Sequence, residues 1–109
     1  MNFSQMVKQF SAALPGTESF KQAEAHCEAI IREQPLQACA AFLISGFCRN
    51  YVLLYEEEAL ELDFARRNQR QMLDYMQRLD LALSSHDPAV VYAALNEVVL
   101  LHAASDRIF

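Results

Sequence analysis

Glycine, proline and tryptophan are scarce in this chain: its 109 residues include two glycines, three prolines and no tryptophan. Because Gly16 and Gly46 are far apart, neither a glycine-rich dinucleotide loop nor a phosphate-binding P-loop can be written in the sequence. The β-branched residues are also few, with six Val, four Ile and one Thr. These shortages exclude both nucleotide-binding motifs and favour helices over strands.

Positive charge is in short supply as well. Nine Lys and Arg face fourteen Asp and Glu, which gives a formal net charge of -5. Nucleic-acid binding needs clustered cations to neutralise phosphates, and an anionic membrane surface attracts the same groups. We therefore expect neither nucleic acid nor membrane as a partner. The first sixteen residues hold one lysine and no continuous apolar run, so no signal peptide is predicted.

Cysteine and histidine do not occur at the spacings of a metal or redox site. Cys27, Cys39 and Cys48 form no Cys-x-x-Cys motif, as is typical of reduced thiols in a cytoplasmic protein. None of the three histidines, His26, His86 and His102, has a second histidine three or four residues away, and the Glu-x-x-His motif of di-iron bundles is absent. We therefore predict a cytoplasmic protein with no metal and no cofactor.

The residues that are plentiful are helix formers: 53% of the chain is hydrophobic, with 16 Ala and 14 Leu. Apolar residues recur at helical spacing, and turn signals separate the segments, the clearest being Asp87 and Pro88 before the last helix. The sequence predicts one all-α domain over 1–109, a compact bundle of helices at about 2–14, 18–34, 36–56, 63–84 and 88–104. Residues 105–109 are predicted to be a short tail.

The predicted third helix, 36–56, is apolar on nearly every side. Such a helix either lies at the centre of a bundle or crosses a membrane. The polar residues that interrupt it are Gln37, Ser45, Arg49 and Asn50. The other helices are amphipathic, and their apolar faces need an apolar surface to pack against. We therefore favour a buried central helix. Gly46 weakens a helix by about 1 kcal/mol relative to Ala, so we expect it to allow a neighbouring helix to approach closely.

An acidic stretch followed by arginines lies between the third and fourth helices. Its members are Glu56, Glu57, Glu58, Glu61 and Asp63, followed by Arg66, Arg67 and Arg70. Asp63 either caps a separate fourth helix or pairs with Arg66 and Arg67 within one long bent helix, and the sequence leaves both open. Clustered charges steer association with an oppositely charged partner. These eight residues are the candidate partner-binding residues. The alternative is that they form only a solvent-exposed helix junction.

Three functional hypotheses follow. The absence of a catalytic constellation and the apolar excess favour a non-enzymatic module that binds another, basic protein, such as a small bacterial adaptor, secretion chaperone or immunity-type protein. A second hypothesis is a ligand-binding or catalytic bundle around Arg49, His26 and His102, because an arginine on an apolar helix needs an anion or a carboxylate of the chain. A third is a structural homodimer built on the apolar faces of the fourth and fifth helices.

Overall fold

The computed structural model describes all 109 residues and contains five α-helices and no strand. The helices are α1 (Phe3–Ala12), α2 (Thr17–Glu33), α3 (Ala38–Tyr55), α4 (Leu62–Ser84) and α5 (Pro88–Ala104), and a 3₁₀ turn, Pro35–Gln37, precedes α3. The predicted all-α bundle of five helices is confirmed. Because residues 56–61 leave the helical path, α3 and α4 are separate helices and do not form one long rod.

Local chemistry explains where the helices begin. Asn2 and Gln5 form a reciprocal capping box at the start of α1, with both hydrogen bonds 2.9 Å long. Gly16 precedes α2 at a φ of +136°, a conformation that residues with a Cβ rarely adopt. At α5 the Oδ1 atom of Asp87 accepts a 2.9 Å hydrogen bond from the Ala89 N–H, and Pro88 is the first helical residue, as predicted.

All five helices contribute to one apolar core with an aromatic centre. The ring of Phe20 on α2 stacks on Tyr51 of α3, with centroids 3.8 Å apart. Phe10 of α1 meets the same Phe20 ring edge-on at 5.3 Å. Val98 is the one fully enclosed residue that α5 adds to this core. The aromatic centre therefore joins α1, α2 and α3, while α5 lies at the margin.

The apolar α3 is enclosed on one side only. Its inner residues are buried, namely Ala40, Ala41, Ile44, Ser45, Phe47, Cys48 and Tyr51. On the opposite side Phe42 is 72% exposed and Leu53 is 76% exposed. Gly46 belongs to this outer side, and a Cβ built there would have no atom within 4 Å. The prediction that Gly46 allows a close helix contact is therefore wrong within this chain, because no helix covers that side.

One segment meets the length and composition expected of a membrane-spanning helix. It runs from Pro35 to Tyr55, 21 residues whose most apolar window has a mean hydropathy of 1.4. In this structure 39% of that window is buried inside the chain. The core helix of a protein can pass the same test, and here the inner residues of α3 pack against α2 and the rest of the core.

The residues after α5 return to the core, which their sequence does not indicate. Phe109 is only 5% exposed, and its ring lies within 6.3 Å of the aromatic rings of Phe20, Phe47, Tyr51, Tyr75 and His102. The Tyr55 hydroxyl donates a 2.7 Å hydrogen bond to the Ile108 carbonyl. The Nε2 atom of His102 lies 2.7 Å from the Phe109 carbonyl oxygen. The predicted short tail is thus part of the core.

Replacing Phe109 with Ala is expected to lower the free energy of unfolding by about 3 kcal/mol, because the substitution empties a buried aromatic position. Urea denaturation followed by circular dichroism measures the change. Arg107→Ala, an exposed position in the same tail, is the matched control and should shift stability by less than about 0.5 kcal/mol. Equal stability of the Phe109→Ala variant and the parent chain would contradict the packing of the tail.

Gly46→Ala is expected to stabilise the protein by about 0.5–1 kcal/mol, since alanine suits the interior of a helix better than glycine and the added methyl group meets no atom. Thermal unfolding measures the change. Gly16→Ala provides the contrast, because the positive φ of Gly16 should make that substitution destabilising. A loss of stability in Gly46→Ala would show that the outer side of α3 is covered in solution.

Candidate protein-binding site

An open pocket lies where the chain turns from α3 into α4. It has a volume of about 420 Å³, and we call it the corner pocket. Its lining residues are Leu54, Tyr55, Glu58, Ala59, Leu60, Glu61 and Phe64. Five of the seven are hydrophobic, and the two glutamates are exposed at the surface. The pocket therefore combines an apolar lining with carboxylates that remain in solvent.

Aromatic contacts hold the two helices that form the corner pocket. The ring of Tyr55, at the end of α3, meets Phe64 of α4 edge-on with centroids 5.4 Å apart. Tyr55 also packs against Tyr51 at 4.9 Å and is tied to the tail through the Ile108 carbonyl. One helical turn deeper, the Nδ2 atom of Asn68 donates a 2.9 Å hydrogen bond to the Tyr51 hydroxyl. These contacts support the pocket lining on its core side.

Most of the carboxylates around the turn have no ion-pair partner in the chain. Glu56 pairs with Lys21 of α2, and this hydrogen bond is the main reason that the pKa of Lys21 is raised. The other four, Glu57, Glu58, Glu61 and Asp63, form no ion pair and are exposed. Charges of one sign that are clustered on a surface attract oppositely charged groups at long range. The corner therefore carries four exposed carboxylates that form no ion pair within the chain.

Both predicted roles of Asp63 are wrong. The N-cap residue of α4 is Glu61, whose side chain caps nothing, and Asp63 lies in the first turn of the helix. There the negative charge of Asp63 interacts favourably with the positive end of the helix dipole. This interaction stabilises the carboxylate without a cap or an arginine partner. No ion pair is formed by the following arginines, Arg66, Arg67 and Arg70. The Cζ atom of Arg67 lies 5.9 Å from the centre of the Phe64 ring, a cation–π contact.

The residues of the ligand-site hypothesis are not brought together. Arg49 is not buried: its side chain is 61% exposed, and its Nε atom lies 3.4 Å from Oε1 of Glu24 on α2. His26 borders a void of about 10 Å³, roughly the space of one water. His102 stacks on Phe47 at 4.3 Å and contacts the Phe109 carbonyl. The argument for an anion beside Arg49 fails, because the partly solvated guanidinium already has a carboxylate partner.

The apolar faces named for a homodimer are occupied within the chain. On α4 the residues Met72, Met76 and Leu79 are buried, and on α5 Val98 is buried. Arg78 of α4 pairs with Asp74 of its own helix and with Glu97 of α5. These contacts hold α5 against α4, so the inner faces of the two helices are not free for a second copy.

No group of three or more His, Cys, Asp and Glu side chains is arranged to hold a metal ion. Comparison of the chain with protein-family models, with curated proteins and with solved structures finds no match.

Five pocket residues were not among the sequence candidates: Leu54, Tyr55, Ala59, Leu60 and Phe64. The sequence contained a signal for two of them, because the apolar residues at positions 60 and 64 lie within and directly after the acidic stretch. Periodicity could not place them, since the turn between α3 and α4 interrupts the helical spacing. Of the acidic candidates, Glu58 and Glu61 belong to the lining, while Glu57 and Asp63 adjoin it in the sequence, and we call these four carboxylates the acidic rim.

The three thiols should differ sharply in reactivity. Burial raises the pKa of Cys27 to about 12 and also raises the pKa of Cys48, while Cys39 is exposed. Because the thiolate is the reactive form, we expect one thiol per native chain to react with an aromatic disulfide reagent at about pH 8. All three should react in guanidinium chloride. Cys39→Ser is the control and should abolish the fast reaction, and two fast thiols in the native chain would contradict the burial.

Proposed function

We propose that this chain is a non-enzymatic protein-binding module that holds a basic, amphipathic helix of another protein in the corner pocket. The observation that carries the proposal is an open, mainly apolar pocket whose lining includes two exposed glutamates, Glu58 and Glu61, that form no ion pair. Small adaptors, secretion chaperones and immunity-type proteins work by binding of this kind. The free cysteines fit a reducing compartment such as the cytoplasm.

The charge of the rim supports a basic partner. Glu58 and Glu61 line the pocket, and Glu57 and Asp63 flank it, all exposed and without an ion-pair partner. Each exposed ion pair formed across an interface contributes about 0.2–1 kcal/mol, and the summed field raises the rate of encounter. Binding through this rim should therefore weaken as salt is added.

The lining of the pocket supports an amphipathic helix over a single charged group. Leu60, Tyr55 and Phe64 offer apolar surface that an ion or a sugar would leave unused. An amphipathic helix places apolar side chains on one face and lysines or arginines beside them. Such a segment satisfies the pocket lining and the acidic rim at the same time, which neither a purely basic nor a purely apolar peptide does.

The proposal is tested with a fluorescent synthetic helix made of Leu and Lys, whose anisotropy reports binding to the full chain. Glu58→Lys is expected to lower the affinity by about tenfold, because it removes an attraction and adds a repulsion, together about 1.4 kcal/mol. The matched control is Glu28→Lys on α2, an exposed glutamate without an ion pair that changes the net charge equally. It should leave the affinity within about twofold of the parent.

Leu60→Ser separates the apolar contribution from the charge. It is expected to weaken binding of the Leu/Lys helix several-fold and to leave binding of a Gly/Lys peptide of equal charge unchanged, since that peptide has no apolar face. Equal losses in Glu58→Lys and Glu28→Lys would mean that only the net charge attracts the peptide, and the corner pocket would then not be the binding site.

A further inference from the structure

The helix α5 has apolar residues on all sides, but only one side packs against the rest of the chain. Its seventeen residues include a single acid, Glu97, which is paired with Arg78 of α4. Val98 faces the core, whereas Tyr92 is 70% exposed and Leu100 is 69% exposed. In a bundle, a helix that is apolar all round is normally covered on every side. The solvent side of α5 is therefore unpartnered.

The residues on that side are arranged symmetrically about one polar residue. Ala89, Tyr92, Asn96, Leu100 and Ala103 are all exposed, and we call them the α5 outer face. At 100° per residue Asn96 lies at the centre of this face, with the others within about 40° on either side. Asn96 is also the middle residue of α5, which runs from Pro88 to Ala104. The face contains no charged residue.

We propose that the α5 outer face binds the same face of a second copy of this chain, antiparallel, with the twofold axis passing beside Asn96. Such an axis brings Tyr92 opposite Leu100 of the second copy, because both are four residues from Asn96. It likewise brings Ala89 opposite Ala103, seven residues away on each side. Each residue of the face then meets the residue at the equivalent distance on the other side of Asn96, which gives the reciprocal contacts of an interface between identical surfaces.

Asn96 and the charges favour a second copy over an unrelated partner. An amide carries both a donor and an acceptor, so two Asn96 side chains can hydrogen-bond to each other at the axis, and a single Asn in an apolar helix contact fixes its register. Each chain has a net charge of -5, so two copies repel as a whole, and this repulsion is weakest where the contact surface is uncharged. Antiparallel α5 helices also place opposite dipole ends together.

The area of the face sets the strength of the dimer. A helix of seventeen residues is about 25 Å long and 10 Å wide, so half of its surface is on the order of 400–500 Å². A standard interface buries about 800 Å² per partner. The dimer therefore belongs to the weak, reversible class, with a dissociation constant of about 10 µM to 1 mM.

Sedimentation equilibrium of the full chain over that concentration range tests the inference, with the mass expected to rise from one chain to two. Leu100→Glu should lower the association constant by at least tenfold, since each dimer would bury two carboxylates. Leu81→Glu is the matched control, because Leu81 on α4 is 77% exposed and lies outside the face. It should leave the association constant unchanged. A wild-type chain that stays monomeric throughout, or equal effects of both substitutions, would overturn the proposal.

The orientation is tested by cross-linking in a Cys39→Ser background, which removes the exposed native thiol. A mixture of Ala89→Cys and Ala103→Cys chains in oxidised glutathione should form mixed disulfides in preference to disulfides between identical chains. Asn96→Cys should cross-link to itself, because only facing positions come within the Cα separation of a disulfide. Preferential pairing of identical Ala89→Cys chains would exclude the antiparallel arrangement. Leu60→Ser, which weakens peptide binding without changing the net charge, should leave dimerisation unchanged, so this result and that of the peptide assay are independent.

Discussion

Two of the five helices, α3 and α5, are apolar on nearly every side, and the chain does not have enough other surface to cover both. α2 and the returning tail enclose the inner side of α3, and α4 holds the inner side of α5 through buried side chains and the Arg78–Glu97 ion pair. The outer sides of α3 and α5 remain exposed to solvent. The exposed apolar surface of this protein is thus a consequence of its composition, 53% hydrophobic in 109 residues.

The tail and one buried polar pair determine how the helices meet. Phe109 contacts rings on α2, α3, α4 and α5, so it fills the space where those four helices converge. The Asn68–Tyr51 hydrogen bond fixes α4 against α3 inside the core, although the Oδ1 atom of Asn68 has no partner. A buried polar pair adds little net stability but penalises every other register. Tyr51 and Asn68 lie four residues from Tyr55 and Phe64 respectively, so this hydrogen bond is one helical turn from the aromatic contact that lines the corner pocket.

Features that depend on local spacing could be predicted from the sequence. The stripe through Met72, Met76 and Leu79 is buried as its periodicity indicates, and Asp87 with Pro88 starts α5. Features that depend on residues far apart in the sequence could not be predicted. The position of Phe109 depends on a gap formed by four helices, and the exposure of Arg49 depends on which side of α3 remains uncovered. For the candidate site, the acidic rim was predicted, whereas the lining required the geometry of the turn.

The two exposed surfaces differ in chemistry, and this separates what each can bind. The corner pocket has a rim of carboxylates, so attraction to it is electrostatic, long-ranged and weakened by salt. The α5 outer face has no charge, and added salt screens the repulsion between two acidic chains, so the proposed self-association would be strengthened under the same conditions. A dimer through α5 would carry two corner pockets. A partner with two basic helices could then bind far more tightly than one with a single helix, without any additional contact at either pocket.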